Sequence, residues 1–240
     1  MPAGWERFLT AQDTELLDKT RWAKRSEFGL GSKPALVIID AYYGALGLER
    51  RPMMDSIDEW PASCGLPGWD AIDATVPLLE KARQNGVPVV FLTGLPADPN
   101  PWNRKRAGRA APARPAQFLQ IVDELKPRDG EIVLEKTSPS GFATTGLDTL
   151  LRAQGIDTLI VCGEATSGCV RATVVDGCVA GYAIGVVSDC CFDRVEASHW
   201  MNLFDMNQKY ADVIDAAAAA DYLTSISDLT SVNEGTPPVQ

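Results

Sequence analysis

The chain has 240 residues, 45% of them hydrophobic and 22% charged, with a formal net charge of −10. That length suits one α/β domain with a single large core. The acidic balance excludes the basic profile of a nucleic-acid binder, and no apolar run approaches the ~20 residues that span a bilayer.

Residues 1–33 read as an N-terminal arm with one amphipathic helix and no apolar signal-peptide core, so a cytoplasmic location is expected. "ALVIID" (35–40) is a β-branched run without polar interruption, as in a strand buried on both faces. "WDAIDATVPLLEKARQNG" (69–86) has apolar residues at helical spacing and stops at Asn-Gly. "VPVVFLT" (87–93) is the next strand, 116–125 a short helix, and "GEIVLEK" (130–136) a strand. A helix over 144–155 ends in glycine, and "DTLIVCG" (157–163) follows as a strand. Residues 166–181 form a helix after a turn, 182–189 a strand, 196–209 a helix and 211–215 a last short strand.

Continuous apolar strands alternating with helices predict an α/β fold, a three-layer α-β-α sandwich around a mostly parallel, roughly six-stranded sheet. The domain is expected over 34–215, followed by a C-terminal helix and loose polar tail over 216–240. The segment 101–115 carries Arg104, Lys105, Arg106, Arg109 and Arg114. It is either a solvated loop or a basic rim that attracts an anion or a neighbouring subunit.

Six cysteines stand at 64, 162, 169, 178, 190 and 191 without a C-x-x-C spacing. A zinc or thioredoxin-like site is therefore not expected. Five of them read as reduced core residues. Cys169 differs, because it stands where a small-residue turn passes into a helix. In open α/β sheets, ligands bind beyond the carboxyl ends of the strands. Asp40 and Lys136 close two strands, and the turn after 157–163 delivers Cys169. A helix N-terminus and a lysine ammonium favour a thiolate. A carboxylate within reach can take the thiol proton and give it to a leaving amine. Backbone N–H groups of Ala165 and Cys169 are placed to hold an oxyanion. His199, the single histidine, lies inside a helical segment and suits packing better than a Cys–His dyad.

"TSGCVRATVVD" (166–176) resembles the nucleophile motif of the isochorismatase-like cysteine hydrolases, in the branch of N-carbamoylsarcosine and maleamate amidohydrolases. "EKTSPSGF" (135–142) is similar to the family's lysine segment, and "PWNRK" (101–105) to its Trp–Lys element. The resemblance runs from about 34 to 213. It implies an Asp40–Lys136–Cys169 triad, a cis Glu164–Ala165 peptide and cofactor-free hydrolysis of a small linear amide or N-carbamoyl compound. It further implies a covalent Cys169 intermediate and the release of ammonia. The resemblance also implies that Arg194, 25 residues after Cys169, holds a substrate carboxylate. The alternative for Arg194 is a surface ion pair with Asp193 or Glu196. Trp102, Lys105, Phe142 and Tyr42 are the remaining expected pocket residues. A metal site of the nicotinamidase kind is not expected, since no histidine follows the first strand. Relatives imply a homo-oligomer, dimer or tetramer. Isochorismatase-like hydrolysis of a non-amide substrate is the competing reaction.

Overall fold

The computed structural model describes residues 4–20, 23, 26–95 and 116–234, the last eight of these by backbone alone. The arm carries helix α1 (Ala11–Lys19), whose first turn is closed by reciprocal hydrogen bonds between Thr10 and Asp13. Strand β1 (Pro34–Ile39) leads through two short helices, α2 (Tyr43–Leu46) and α3 (Met53–Ser56), to the long α4 (Gly65–Gln84). Then come β2 (Val89–Gly94), β3 (Ile132–Lys136), α5 (Leu147–Ala153) and β4 (Thr158–Glu164). A π-helical turn (Thr166–Val170) opens α6 (Arg171–Val179). The chain closes with β5 (Ala183–Phe192), α7 (Glu196–Lys209), β6 (Asp212–Ile214) and α8 (Ala216–Glu234).

The six strands are all parallel, in the order β3-β2-β1-β4-β5-β6. This is the doubly wound order, with its direction reversing between β1 and β4. Both of those strands are buried along their whole length, as their unbroken apolar runs require. Helices α4 and α8 pack together on one face, with Asn85 donating to the Leu223 carbonyl at 3.1 Å. Helices α6 and α7 pack together on the other face, and Arg152 of α5 donates to the Ala180 carbonyl beyond α6. The result is the three-layer sandwich.

Two elements differ from the sequence-based expectation. Residues 116–125 do not form a helix; only Asp123–Leu125 make a 3-10 turn. The backbone there is spent on the segment after β1 instead. Tyr43 donates to Gln120 O, Gly44 to Phe118 O, and Val122 to Ala41 O. These bonds take the place of the i to i−4 ladder. Strand β5 is longer than the expected 182–189. Its register against β4 jumps between Val161 and Gly163, so it bows away and rejoins at Cys191 and Phe192. That return carries Asp193 and Arg194 to the mouth of β4.

Candidate active site

Asp40 follows β1 and is 1% exposed. Its φ of +52° places a non-glycine residue in the left-handed region, a conformation that surrounding structure must impose. The constraint is visible. Asp40 N–H donates to Leu92 O at 2.8 Å, and Gly163 of the neighbouring strand lies against Ile39. A Cβ on Gly163 would sit 2.0 Å from the Ile39 carbonyl oxygen. Close contact of β1 and β4 at the switch point therefore depends on that glycine.

Lys136 ends β3, two strands from β1. Between them β2 ends in Gly94, in register with Lys136. The lysine reaches across the end of β2. Its Nζ donates to Asp40 Oδ2 at 2.7 Å and to Cys169 Sγ at 3.3 Å. Asp40, Lys136 and Cys169 are thus brought to one point.

The turn carrying Cys169 is held from several sides. The Glu164–Ala165 peptide bond is cis. Ser167 donates from its N–H and its hydroxyl to Asp193 Oδ2, at 2.8 and 2.6 Å. Thr166 donates to Phe192 O at 3.2 Å and lies 2.8 Å from His199 Nδ1. With the hydroxyl hydrogen on Phe192 O, the His199 ring is the donor in that contact. Thr173 donates to Cys169 O, and Gly141 N–H donates to Thr173, which ties the lysine segment to the cysteine turn.

Electrostatics departs from the expected thiolate. Burial first, then Asp40, push the Cys169 thiol up to about 12, with Lys136 opposing. Burial thus favours the protonated thiol at Cys169, against the pull of the lysine. Burial raises Asp40 above the usual carboxylate range, although Lys136 pulls the other way. Burial also works against charge on Lys136, but the Asp40 carboxylate opposes it and holds the ammonium charged. Asp40 Oδ1 is buried and has no hydrogen-bond partner among the described residues. The arrangement is a basic carboxylate with a free oxygen, a fixed cation and a protonated thiol.

The other expected residues divide. Tyr42 stacks near Phe118, ring centres 6.1 Å apart. Its phenol is held protonated by burial first and then by the Asp40 and Glu164 carboxylates. Phe142 instead packs against Tyr182 at 5.8 Å and beside Gly177, within the helix layer. Trp102 and Lys105 lie outside the described residues. Arg194 forms neither the expected surface pair nor an open carboxylate seat. Its Nη1 lies 2.6 Å from Glu164 Oε1, and its Nη2 donates to the Ala62 carbonyl. Glu164 was missed as a site residue. Its one sequence signal is a charged side chain closing an otherwise apolar strand. Among the described residues no group of three or more His, Cys, Asp or Glu side chains could hold a metal ion. No helix there is long and apolar enough to cross a membrane.

The family model for the isochorismatase domain matches residues 34–218. The chain is 34% identical over 212 residues to a maleamate amidohydrolase of Pseudomonas putida, covering 86% of this chain and 93% of that protein. It is 34% identical over 199 residues to an N-carbamoylsarcosine amidase of Arthrobacter, covering 75% of this chain and 74% of that one. The solved structure of a cysteine hydrolase from Pseudomonas syringae pv. phaseolicola superposes with a TM-score of 0.72 at 21% identity, over 85% of this chain and 99% of that one. With a matched model spanning most of the chain, a doubly wound sheet, and an acid, a lysine and a thiol meeting at its switch point, the chain belongs to the isochorismatase family.

Proposed function

We propose that the chain is a cysteine amidohydrolase that cleaves a small linear amide or ureido compound and releases ammonia. The observation that carries this reading is the double contact of Lys136 Nζ, 2.7 Å from Asp40 Oδ2 and 3.3 Å from Cys169 Sγ. Similarity to relatives named for maleamate and N-carbamoylsarcosine supports it.

The chemistry follows from the protonation states. Cys169 Sγ attacks the substrate carbonyl carbon while Asp40 takes the thiol proton. Negative charge moves to the carbonyl oxygen, facing the N–H groups of Ala165 and Cys169. The intermediate collapses, the C–N bond breaks, and protonated Asp40 gives its proton to the leaving nitrogen. Ammonia departs and a thioester remains, or a thiocarbamate when the substrate is a ureido compound. Asp40 then deprotonates a water that attacks the thioester, and the proton returns to sulfur as the acid product leaves. Lys136 stays charged throughout and fixes Asp40 and Cys169 relative to each other. Six unpaired cysteines fit a reducing compartment such as the cytoplasm.

The test is ammonia release from a panel of N-carbamoyl amino acids, maleamate, ureidoacrylate and simple aliphatic amides. At least one is expected to turn over, and Cys169→Ala is expected to lose at least about a thousandfold in kcat. Turnover that survives in C169A would refute the mechanism.

A further inference from the structure

Glu164 has no part in the proton transfers above, yet it is among the most deeply placed charges in the molecule. Its side chain is 7% exposed, at the carboxyl end of β4, one residue before the oxyanion N–H of Ala165. Burial of this kind has a cost unless the charge is matched. Arg194 matches it at 2.6 Å. The Arg194 side chain is 33% exposed, and it lines a cavity together with Phe192, Asp193 and His199, while Glu164 stays behind it. Glu164 also acts on Asp40, Tyr42 and Cys169 through its charge, which places the pair beside the reacting centre.

An unpaired guanidinium at this place would be a fork for a substrate carboxylate. Here the fork is taken. One terminal nitrogen faces Glu164 and the other donates to Ala62 O. A second carboxylate arriving at Arg194 would meet the Glu164 carboxylate as well. The pair instead presents an N–H donor beside a carboxylate acceptor. That is the complement of a neutral group offering one acceptor and one donor, such as a primary carboxamide or a urea end.

We propose that Glu164 is a specificity-determining residue, which by occupying Arg194 turns the pocket toward amides with a neutral, carboxamide-like distal group and away from those with a distal carboxylate. This rests on Cys169 being the nucleophile of an amide hydrolysis. Specificity of this kind comes as much from the repelled substrate as from the accepted one.

The experiment compares two substrates of the same shape, succinamide and succinamate, in wild type and Glu164→Gln. Wild type is expected to favour succinamide in kcat/KM by about tenfold or more, and E164Q to move that ratio toward succinamate by a similar factor. A second readout needs no turnover. Cys169 is alkylated with iodoacetamide or iodoacetate, and the modified peptide is quantified by mass. Wild type is expected to disfavour the anionic reagent more strongly at Cys169 than at a small free thiol, and E164Q to reduce that difference. Preference for succinamate in wild type, or unchanged ratios in a folded E164Q, would overturn the proposal. If E164Q does not fold, the wild-type ratios decide alone. Failure of the amidohydrolase reading would look different, because wild type would then release no ammonia from either substrate, or C169A would release it as fast as wild type.

Discussion

Asp40 stands at the end of β1 with φ +52°, and Lys136 reaches it from two strands away to place Nζ 2.7 Å from Oδ2. The pair is nearly solvent-free, at 2% and 5% side-chain exposure. Its consequence is a division of labour: the cation keeps its charge, and the carboxylate keeps a raised proton affinity.

Removing the carboxylate should separate reactivity from turnover. In Asp40→Asn the thiol loses the charge that helps raise it, while Lys136 remains. The pH at which Cys169 alkylates should therefore fall, while kcat drops by about a hundredfold or more for lack of a proton acceptor. Peptide-resolved alkylation rates from pH 6 to 10 and steady-state ammonia release check the two halves. An alkylation midpoint that rises in D40N would contradict this assignment of charges.

Removing the cation should cost stability. Lys136→Met leaves Asp40 buried without its partner, which typically costs about 3–5 kcal/mol when a buried pair is broken. Denaturant midpoints should show most of that loss restored in the double variant D40N/K136M, where neither charge remains. A double variant no more stable than K136M would count against the pair as the source.

Substrate preference should depend on pH. Burial pushes the Glu164 carboxyl up to about 7, with Arg194 opposing it. The groups facing it are Arg194 and Asp193 after β5, Asp40 and Tyr42 after β1, Cys169 on its turn, and Cys64 before α4. As pH falls through 7, Glu164 neutralises and Arg194 loses its partner charge. The succinamide-to-succinamate ratio should then shrink in wild type and stay level in E164Q. A wild-type ratio independent of pH from 8 to 6 would contradict this.

His199 makes a separate pH prediction. Burial lowers its pKa below the ordinary 6.5. A histidine harder to protonate in the fold than in the unfolded chain leaves stability intact above 6.5. Stability is then lost as pH falls below that value, until the folded state also titrates. Wild type should lose stability between pH 7.5 and 5.5 relative to His199→Gln. Parallel stability curves would refute it.

Much of the fold was legible because apolar runs report burial directly. "ALVIID" and "DTLIVCG" read as two-sided strands, and they occupy the middle of the sheet as β1 and β4. Asp40, Lys136 and Cys169 could be picked out as candidates partly because strand-end polar residues in such folds face the crevice, and more because 135–142 and 166–176 resemble the family's lysine and nucleophile segments. Strand order was not readable, and it decides that Lys136 must cross β2 rather than meet a neighbour. Residues 116–125 misled because their helical spacing is local, whereas their backbone partners lie at 41–44. The Glu164–Arg194 pair, 30 residues apart, is made by the register jump in β5, which leaves no mark in the residue pattern. The protonated state of Cys169 depends on burial, which no motif reports.

The most direct measurement is the mass of Cys169 during turnover. Enzyme mixed with a cleaved amide is acid-quenched within the first turnovers, and the peptide holding Cys169 is weighed. The account predicts an acyl adduct equal to substrate minus ammonia on Cys169 alone, sensitive to hydroxylamine and absent from the other five cysteines. Ammonia release with an unmodified Cys169 at every quench time, and undiminished in C169A, would contradict it.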